Sequence, residues 1–351
     1  MKRLFTVLVV LLLALACLSG CTKKEEKPVE GEAVTTATAG ALWYNFADTF
    51  IANAKNTLEK ISNEDGRIKV TSADSMNDIA NQTSNLSNML TQTKDFIVIN
   101  NINTAAGDDI ATQVLNAGSK IIFANCTLPS DETLAKEGVY SVTSAAEQSG
   151  TIMGEALVKY WNEHPEADRN GNGKFDCVVL LGLESHYDTI VRDSGSREAL
   201  ENAGIEQVLV GGSKIVANYQ RAEAQDKVTA LLANFSDDIE AVIACNDDMA
   251  LGAIEALKAA GFFGEGTFIP VVGVDATEPG RQAVKDGTML CTAWNNSTKL
   301  AETVYQVMVL LTEGKEVTLD NLGIDGLTVD GHKVWIGYVG VDATNIDELF
   351  K

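Results

Sequence analysis

The feature that most constrains the fold of this chain is an alternation of strand-like apolar runs with amphipathic helical stretches. In the first half, strand-like runs at 41–44, 67–70, 96–99 and 120–124 alternate with helical patterns at 48–61, 77–93 and 104–117. Parallel strands need a crossover connection, which is usually a helix. The alternation therefore predicts parallel sheets with helices on both faces.

The same pattern restarts near residue 145. Helical stretches at 145–162, 188–203, 219–233, 247–260, 280–286 and 299–311 alternate with strand-like runs at 177–183, 207–210, 241–244, 269–274, 289–294 and 334–341. We therefore predict an α/β protein with two Rossmann-like lobes joined by several chain crossings. Ligands of open parallel sheets bind at the carboxyl ends of the strands, so two lobes facing each other there would form a cleft.

The N-terminus predicts export. Lys2 and Arg3 precede an apolar run that ends near Leu18, and a small-residue segment leads to Cys21. This is the pattern of a secretory signal peptide, and its end resembles the lipobox of bacterial lipoproteins. The resemblance implies a signal peptide at 1–20, lipidation of Cys21 and a solvated tether at 21–35. An uncleaved membrane helix is disfavoured because the apolar run is shorter than the ~20 residues of a span.

Charge and cysteine spacing exclude several classes of partner. The net charge is −22, and removal of Lys2 and Arg3 with the signal peptide makes it −24. Nucleic-acid phosphates require basic patches, so we exclude nucleic acid, and we expect membrane contact through the lipid anchor only. The cysteines of the body show no metal-binding spacing; they are Cys126, Cys177, Cys245 and Cys291. Buried thiols are favoured, and a disulfide is left open.

Polar side chains follow nearly every strand at the edge where the cleft is predicted. They are Asp48, Asn100, His186, Asp188, Arg192, Asn246, Asp275 and Asn295. Planar acid, amide and guanidinium groups bind pairs of hydroxyls, and the rings of Phe50 and Tyr219 can cover the apolar faces of a pyranose. Taken singly, the aspartates can be helix caps, the asparagines turn residues, Arg192 and His186 surface groups, and the rings core. So many polar groups at equivalent strand ends favour a sugar site.

The segment 168–176 predicts a calcium loop of the EF-hand kind. Its oxygen ligands would be the side chains of Asp168, Asn170, Asn172 and Asp176 and the backbone carbonyl of Lys174, with Gly173 at the sharp turn. The place of the usual bidentate glutamate is held by Val179 in a strand-like run, so that ligand must come from elsewhere. A plain Asn-Gly turn is the alternative. A structural ion is favoured over a switch because no paired second loop exists.

Four segments together resemble the periplasmic galactose/glucose-binding proteins of bacterial ABC transport and chemotaxis. The segments are 168–176, 186–192, 239–253, and 272–276 with 338–342. The resemblance runs from about 41 to 350 and implies the type I periplasmic binding protein fold, with a three-strand hinge near 125–128, 294–297 and 334–338. It also implies an N-terminal lobe at 36–125 and 296–333, and a C-terminal lobe at 126–295 and 334–351 that carries the calcium loop.

The resemblance further implies roles and partners. The eight polar strand-end residues would hydrogen-bond the sugar, Phe50 and Tyr219 would stack on it, and Glu240 would be the distant bidentate ligand of a structural Ca²⁺. The protein would be an exported, lipid-anchored monomer without enzymatic activity, in the periplasm or on the outer surface. It would deliver glucose or galactose to an ABC permease, with a chemoreceptor as a second partner. Tyr219 departs from the family's usual tryptophan, and Asn172 and Asp176 depart from its usual Asp and Gln.

Three rival interpretations remain distinct. A sugar-responsive transcription regulator would need a basic helix-turn-helix where the signal peptide stands. An exported glycosidase would use Asp188 and Asp275 as paired carboxylates. The same fold can also take a pentose, a disaccharide or a signalling furanone; Asp48, Asn100 and His186 favour a hexose because they serve more hydroxyls. The sequence does not choose between glucose and galactose.

Overall fold

Two parallel sheets organise the residues that the computed structural model describes, which are 37–92, 94–264 and 267–351. The predicted signal peptide (1–20), Cys21 and the tether (21–35) lie outside the described residues. Within the described ranges, every helix is too short or too polar to traverse a lipid bilayer. The predicted α/β class with two lobes is confirmed.

The first sheet has seven strands in the order β12-β13-β5-β4-β3-β1-β2, all parallel except β12, which is antiparallel to β13. Its strands are β1 (Ala37–Trp43), β2 (Ile68–Asp74), β3 (Phe96–Ile99), β4 (Lys120–Ala124), β5 (Val139–Ser144), β12 (Leu327–Asp330) and β13 (Lys333–Ile336). The helices of this lobe are α1 (Thr49–Asp65), α2 (Ile79–Thr91), α3 (Gly107–Asn116), α4 (Asp131–Leu134), α10 (Ser297–Thr312) and α11 (Leu319–Leu322).

The second sheet has the order β14-β11-β10-β9-β6-β7, with β8 also paired to β6 and only β14 antiparallel to its neighbour. Its strands are β6 (Phe175–Leu181), β7 (Gln207–Leu209), β8 (Ile215–Val216), β9 (Ala241–Ala244), β10 (Val271–Val274), β11 (Cys291–Trp294) and β14 (Val339–Val341). The helices of this lobe are α5 (Ala146–Glu163), α6 (Tyr187–Asn202), α7 (Arg221–Phe235), α8 (Asp247–Ala259), α9 (Glu278–Lys285) and α12 (Ile346–Leu349).

Both faces of each sheet are buried, because alternate residues of a strand enter different cores. In β1, Trp43 packs in one cluster, whereas Leu42 packs in a second cluster. In β6, the neighbours Val178 and Val179 likewise pack in two different clusters. This burial explains why the strands read as continuous apolar runs rather than alternating ones.

The chain crosses between the lobes three times, at residue 145, at 295–296 and at 337–338. The second and third crossings lie at the predicted places, 294–297 and 334–338. The first had been predicted near 125–128, with the first lobe ending at residue 125. The sheet pairing corrects this boundary, because β5 pairs with β4 and β13 in the first lobe. The apolar pattern does not predict strand β5, because half of its residues are polar. The buried polar residues are Ser141, Thr143 and Ser144.

Candidate functional site

The strand ends of both lobes enclose one polar cavity of about 40 Å³. Predicted ligand residues that line it are Asp48, Phe50, Asn100, His186, Asp188, Arg192, Tyr219, Asn246 and Asp275. A water molecule needs roughly 10–15 Å³ of such space, so the cavity has the size of a few waters. The lobes must part, or lining side chains must move, before a monosaccharide can enter.

Five lining residues were not predicted: Tyr44, Ile51, Asn125, Cys126 and Thr127. Asn125 directly follows β4, as Asn100 follows β3, so the strand-end rule applied to β4 would have found it. Tyr44 follows β1 by one residue and was assigned to the strand itself. Tyr44 is buried, and its ring meets the rings of both His186 and Tyr219 edge-on, with centroids 6.2 and 6.3 Å apart.

Asp48 combines the helix-cap role with a place in the cavity. It is the N-cap of α1, where Oδ1 accepts a hydrogen bond from the Ile51 amide at 2.9 Å. Its Oδ2 accepts the Tyr44 hydroxyl. Burial raises the pKa of Asp48 to about 6, although the Tyr44 hydrogen bond acts in the opposite direction. A ligand hydroxyl that replaced the Tyr44 hydroxyl would donate to the Asp48 carboxyl, which is partly charged near its pKa.

Arg192 is the buried cation of the site. Its Nη1 donates to the Cys245 carbonyl at 2.8 Å, and Nη2 donates to Asp188 at 2.9 Å and to the Tyr338 hydroxyl at 3.1 Å. Asp188 and Arg192 are four residues apart on α6, a spacing that places both side chains on one face of the helix. The ion pair and the two further acceptors offset the cost of burying a guanidinium.

Asp275 faces the cavity from a strained turn. Its φ is 116°, and that of Ala276 is 47°, so both lie in the left-handed region that such residues rarely adopt. Burial raises the pKa of Asp275 well above its usual range, while the Arg192 cation opposes this shift. Backbone strain at a buried acid is typical of a functional position.

Asn295, the tenth predicted ligand, does not line the cavity. It lies at the second crossing, where Oδ1 accepts from the Ser144 hydroxyl at 2.8 Å. Its Nδ2 donates to Asn125 Oδ1 at 3.2 Å and to Asp275 Oδ1 at 3.4 Å. Asn295 therefore links the second crossing to Ser144, beside the first crossing, and to the cavity residues Asn125 and Asp275.

Three lining side chains each keep one buried polar atom without a hydrogen-bond partner in the described part of the chain. These atoms are Asn100 Oδ1, His186 Nε2 and Arg192 Nε. Burial lowers the pKa of His186, so its ring is neutral near pH 7 and can accept or donate. Buried polar atoms are nearly always paired, so this cluster is suited to a polar ligand.

Tyr219 packs against the backbone at Gly182, which directly follows β6 in the same lobe. A Cβ on Gly182 would lie 2.0 Å from Tyr219 Cζ, so only glycine leaves room for the ring. The phenol forms a 2.6 Å hydrogen bond with Thr189 Oγ1. Phe50 is buried on the first lobe. The two predicted stacking rings thus reach the cavity from different lobes.

The predicted calcium loop is tied to Glu240. The Glu240 carboxylate accepts the Arg169 amide at 2.7 Å and the Asp176 amide at 2.9 Å. Asp168 Oδ2 accepts the Gly173 amide at 3.0 Å, and Asn172 Nδ2 donates to Asp176 Oδ2 at 2.8 Å. Gly171 and Gly173 take positive φ values of 72° and 73°, which the tight turns require. The sequence-distant Glu240 therefore binds both ends of the loop through backbone amides, and its role as a calcium ligand stays a prediction.

The donor set of this loop fits a hard cation in part. Asp168 Oδ1 is buried and has no partner among the described residues, and oxygen ligands are those that Ca²⁺ prefers. Over the same residues, no three acidic, histidine or cysteine side chains stand in a metal-holding group. Both Glu240 oxygens accept loop amides. Calcium binding stays a prediction.

The four body cysteines are free and buried in the described residues. Burial raises the pKa of each thiol to about 12. The expectation of buried thiols rather than a disulfide framework agrees with this. Cys126 alone reaches the cavity wall.

Two lobes that meet over a cavity, with three connecting crossings, define a two-lobed ligand-binding protein. Residues 40–316 match the family model described as periplasmic binding protein domain. The chain belongs to this family of periplasmic binding proteins.

The proteins to which the chain is similar are also named as binding proteins. The chain is 30% identical over 317 residues to the D-galactose/methyl-galactoside binding periplasmic protein of Haemophilus influenzae, covering 89% of this chain and 91% of the relative. It is 30% identical over 267 residues to the xylitol-binding protein of Mycolicibacterium smegmatis, covering 75% and 69%. An ABC transporter solute binding protein from Bacillus halodurans with bound myo-inositol superposes with a TM-score of 0.73 at 25% identity, covering 89% and 96%.

Proposed function

We propose that this protein captures a monosaccharide, glucose or galactose, in the cavity between its lobes and presents it to an ABC permease. The observation that carries the proposal is the set of unpartnered buried atoms on Asn100, His186 and Arg192. A buried polar atom without a partner costs about 1–3 kcal/mol. Sugar hydroxyls both donate and accept, so one sugar can satisfy all three atoms.

The remaining wall of the cavity also suits a sugar. Asp48 and Asp275 supply acceptors from opposite lobes, and Phe50 and Tyr219 supply apolar ring faces. The similar proteins are named for galactose and xylitol or hold myo-inositol, all of them polyhydroxylated compounds. The relative named for galactose combines 30% identity with coverage of 89% of this chain, which supports a hexose.

Capture would work by hinge bending and would break no bond. A ligand that contacts both lobes only in the closed form shifts the population toward that form. The three crossings at 145, 295–296 and 337–338 are the places where the chain can bend. A closed protein would then offer both lobes to the permease, and a chemoreceptor is a second candidate partner for the same surface. The exported protein would act as a monomer, held at the membrane by lipid on Cys21.

We also propose that Ca²⁺ stabilises the second lobe at the loop 168–176. Asp168, Asn170, Asn172, the Lys174 carbonyl, Asp176 and Glu240 would hold it. The unpartnered Asp168 Oδ1 and the connection to Glu240 support this proposal. Bound calcium would supply charge neutralisation, not chemistry, because the loop lies apart from the residues that line the sugar cavity.

Calorimetry on the full chain in detergent tests the sugar assignment. Glucose, galactose, ribose, arabinose, xylitol and myo-inositol are titrated into the parent, into Asp275→Ala and into Asp286→Ala. We expect saturable binding of a hexose, loss of that binding in Asp275→Ala and unchanged binding in Asp286→Ala, whose carboxylate lies on the exposed end of α9. Binding of a pentose or polyol alone would redirect the proposal to that ligand.

An exported glycosidase is the second candidate, because Asp188 and Asp275 both line the cavity. A glycosidase would release nitrophenol from nitrophenyl glucoside or galactoside, whereas a binding protein would only bind the sugar. Asp188 is occupied by its ion pair with Arg192 at 2.9 Å, which favours binding over acid catalysis.

A further inference from the structure

Asp248 is a buried carboxylate that connects the two lobes. It stands in the first turn of α8 in the second lobe, and its Oδ2 accepts the backbone amide of Thr49 at 3.1 Å. Thr49 is the first residue of α1 in the first lobe. Asp248 Oδ1 accepts from Arg221 of the second lobe, at 2.6 Å from Nη2 and 3.2 Å from Nε. One carboxylate is thus anchored in its own lobe and bonded to the other.

The position of this carboxylate is electrostatically favourable. It lies in the first turn of the 13-residue helix α8 and against the first amide of the 17-residue helix α1. Helix N-termini carry partial positive charge and unpaired amides, so they attract a carboxylate. The Arg221 guanidinium fixes the orientation of the same group. The hydrogen bond to Thr49 is charge-assisted and belongs to the stronger class.

Asp248 does not belong to the sugar-contacting wall. Neither Asp248 nor Thr49 lines the 40 Å³ cavity. A second direct contact between the lobes, from the Tyr187 amide to Thr127 Oγ1 at 3.1 Å, uses neutral groups. Asp248 therefore supplies a charged contact across the cleft, outside the set of residues that line the cavity.

We propose that Asp248 is a closure latch, a carboxylate that binds the first turn of α1 only when the lobes are closed and so raises sugar affinity without contacting the sugar. This rests on the proposed function of the cleft. A ligand binds the closed form, so the apparent dissociation constant rises as the closed fraction of the free protein falls. Because the Asp248 contact exists only in the closed form, its loss lowers that fraction directly.

A double-mutant cycle isolates this contact. Asp248→Ala removes the acceptor, and Thr49→Pro removes the donor N–H together with the threonine side chain. Proline is well accepted at the first helical position. Asp48, with φ −73° and ψ 125°, already has the backbone conformation that a residue before proline prefers. Glu255→Ala is the matched control, since Glu255 is an acid of α8 whose ion pair in the described part of the chain is with Lys258 of the same helix.

We expect each of Asp248→Ala and Thr49→Pro to weaken hexose binding about tenfold by calorimetry, the size of one charge-assisted hydrogen bond. The double variant should be no weaker than either single one, and Glu255→Ala should bind like the parent. Losses that multiply in the double variant, or an unchanged dissociation constant in Asp248→Ala, would overturn the latch.

Interlobe distances in the sugar-free protein separate the latch from the proposed function. Spin labels on cysteines introduced at the exposed positions Asp109 and Asp226 report the two lobes. A shift to longer distances in Asp248→Ala and in Thr49→Pro supports the latch, and distances equal to the parent's overturn it. If the parent binds no sugar, the proposed function fails, and these distances alone decide the latch.

Discussion

The Asp247 carboxylate holds Thr277 at both its amide and its hydroxyl, with Oδ2 at 2.8 and 3.0 Å from the two donors. The other Asp247 oxygen accepts the Thr292 hydroxyl at 2.6 Å, and that hydroxyl oxygen accepts the Ala276 amide at 3.1 Å. The strained pair of Asp275 and Ala276 lies within this network. Asp247 and Thr292 therefore hold the turn that presents Asp275 to the cavity.

Thr292→Val keeps the shape of this side chain and removes both hydrogen bonds. We expect the free energy of unfolding to fall by about 1–3 kcal/mol, because a buried acceptor and a buried amide lose their partner. Hexose affinity should fall with it, since Asp275 is no longer held. Urea unfolding and calorimetry measure the two effects. Thr303→Val is the matched control, because the buried Thr303 hydroxyl has no partner among the described residues; equal effects of the two changes would contradict the prediction.

Asp48→Asn should change how stability depends on pH. The pKa of Asp48 rises from 3.8 to about 6 on burial, so the folded protein holds this proton more tightly than the unfolded chain. Its contribution to the free energy of unfolding therefore falls as pH rises from near 4 to near 6 and is level above. The asparagine does not titrate, so the free energy of unfolding of the variant does not fall in this way. The difference from the parent reaches up to about 3 kcal/mol at pH 7. Asparagine is also a good N-cap. Urea unfolding from pH 4 to 8 should show a difference between variant and parent that grows across this window; a constant difference would speak against it.

Gly182→Ala should displace the Tyr219 ring. The new methyl group would lie 2.0 Å from Tyr219 Cζ and 2.1 Å from Cε1, so the ring must move. Overpacking of this kind costs about 1–3 kcal/mol. We expect part of this cost to appear as weaker hexose binding in calorimetry, together with a lower melting temperature. Gly264→Ala is the control, because its Cβ would meet only the Gly261 carbonyl at 3.7 Å. Full affinity in Gly182→Ala would remove Tyr219 from the sugar site.

Glu240→Gln should lower thermal stability more in the presence of calcium than in its absence. Without the ion a smaller loss remains, because the glutamine NH2 group cannot accept one of the two loop amides that the Glu240 carboxylate accepts. A neutral amide is a poorer ligand for a hard cation than a bidentate carboxylate. A bound ion stabilises the folded state by mass action, so the parent should melt higher with Ca²⁺ than with chelator. Melting curves of parent and variant in both conditions test this. Equal melting of the parent with and without chelator would refute calcium binding.

The lobes were predictable because their strands are apolar runs with charged or polar residues after them. Strand β5 was not, because Ser141, Thr143 and Ser144 are buried only through their neighbours in the finished sheet. Missing it moved the first crossing and the lobe boundary by about twenty residues. An apolar-run criterion cannot detect a polar strand that is buried between two others.

The site followed from topology rather than from any local motif. Asp48, Asn100 and Asp275 were found because each follows a strand, and they share one cavity. Asn295 follows a strand that ends at a crossing; it does not line the cavity but donates to the lining residues Asn125 and Asp275, and its contact with sugar stays a prediction. The same rule omitted Tyr44, since the sequence does not show that a ring at the end of β1 turns toward Asp48. Side-chain direction at a strand end depends on contacts from the other lobe.

The last strands of both sheets come from one short stretch near the end of the chain. Strands β12 and β13 complete the first sheet, and β14, which begins at Val339, completes the second. During synthesis at roughly 5–20 residues per second, neither lobe can finish its sheet until this stretch has left the ribosome. The folding of both lobes is therefore coupled to the synthesis of one segment, residues 327–341.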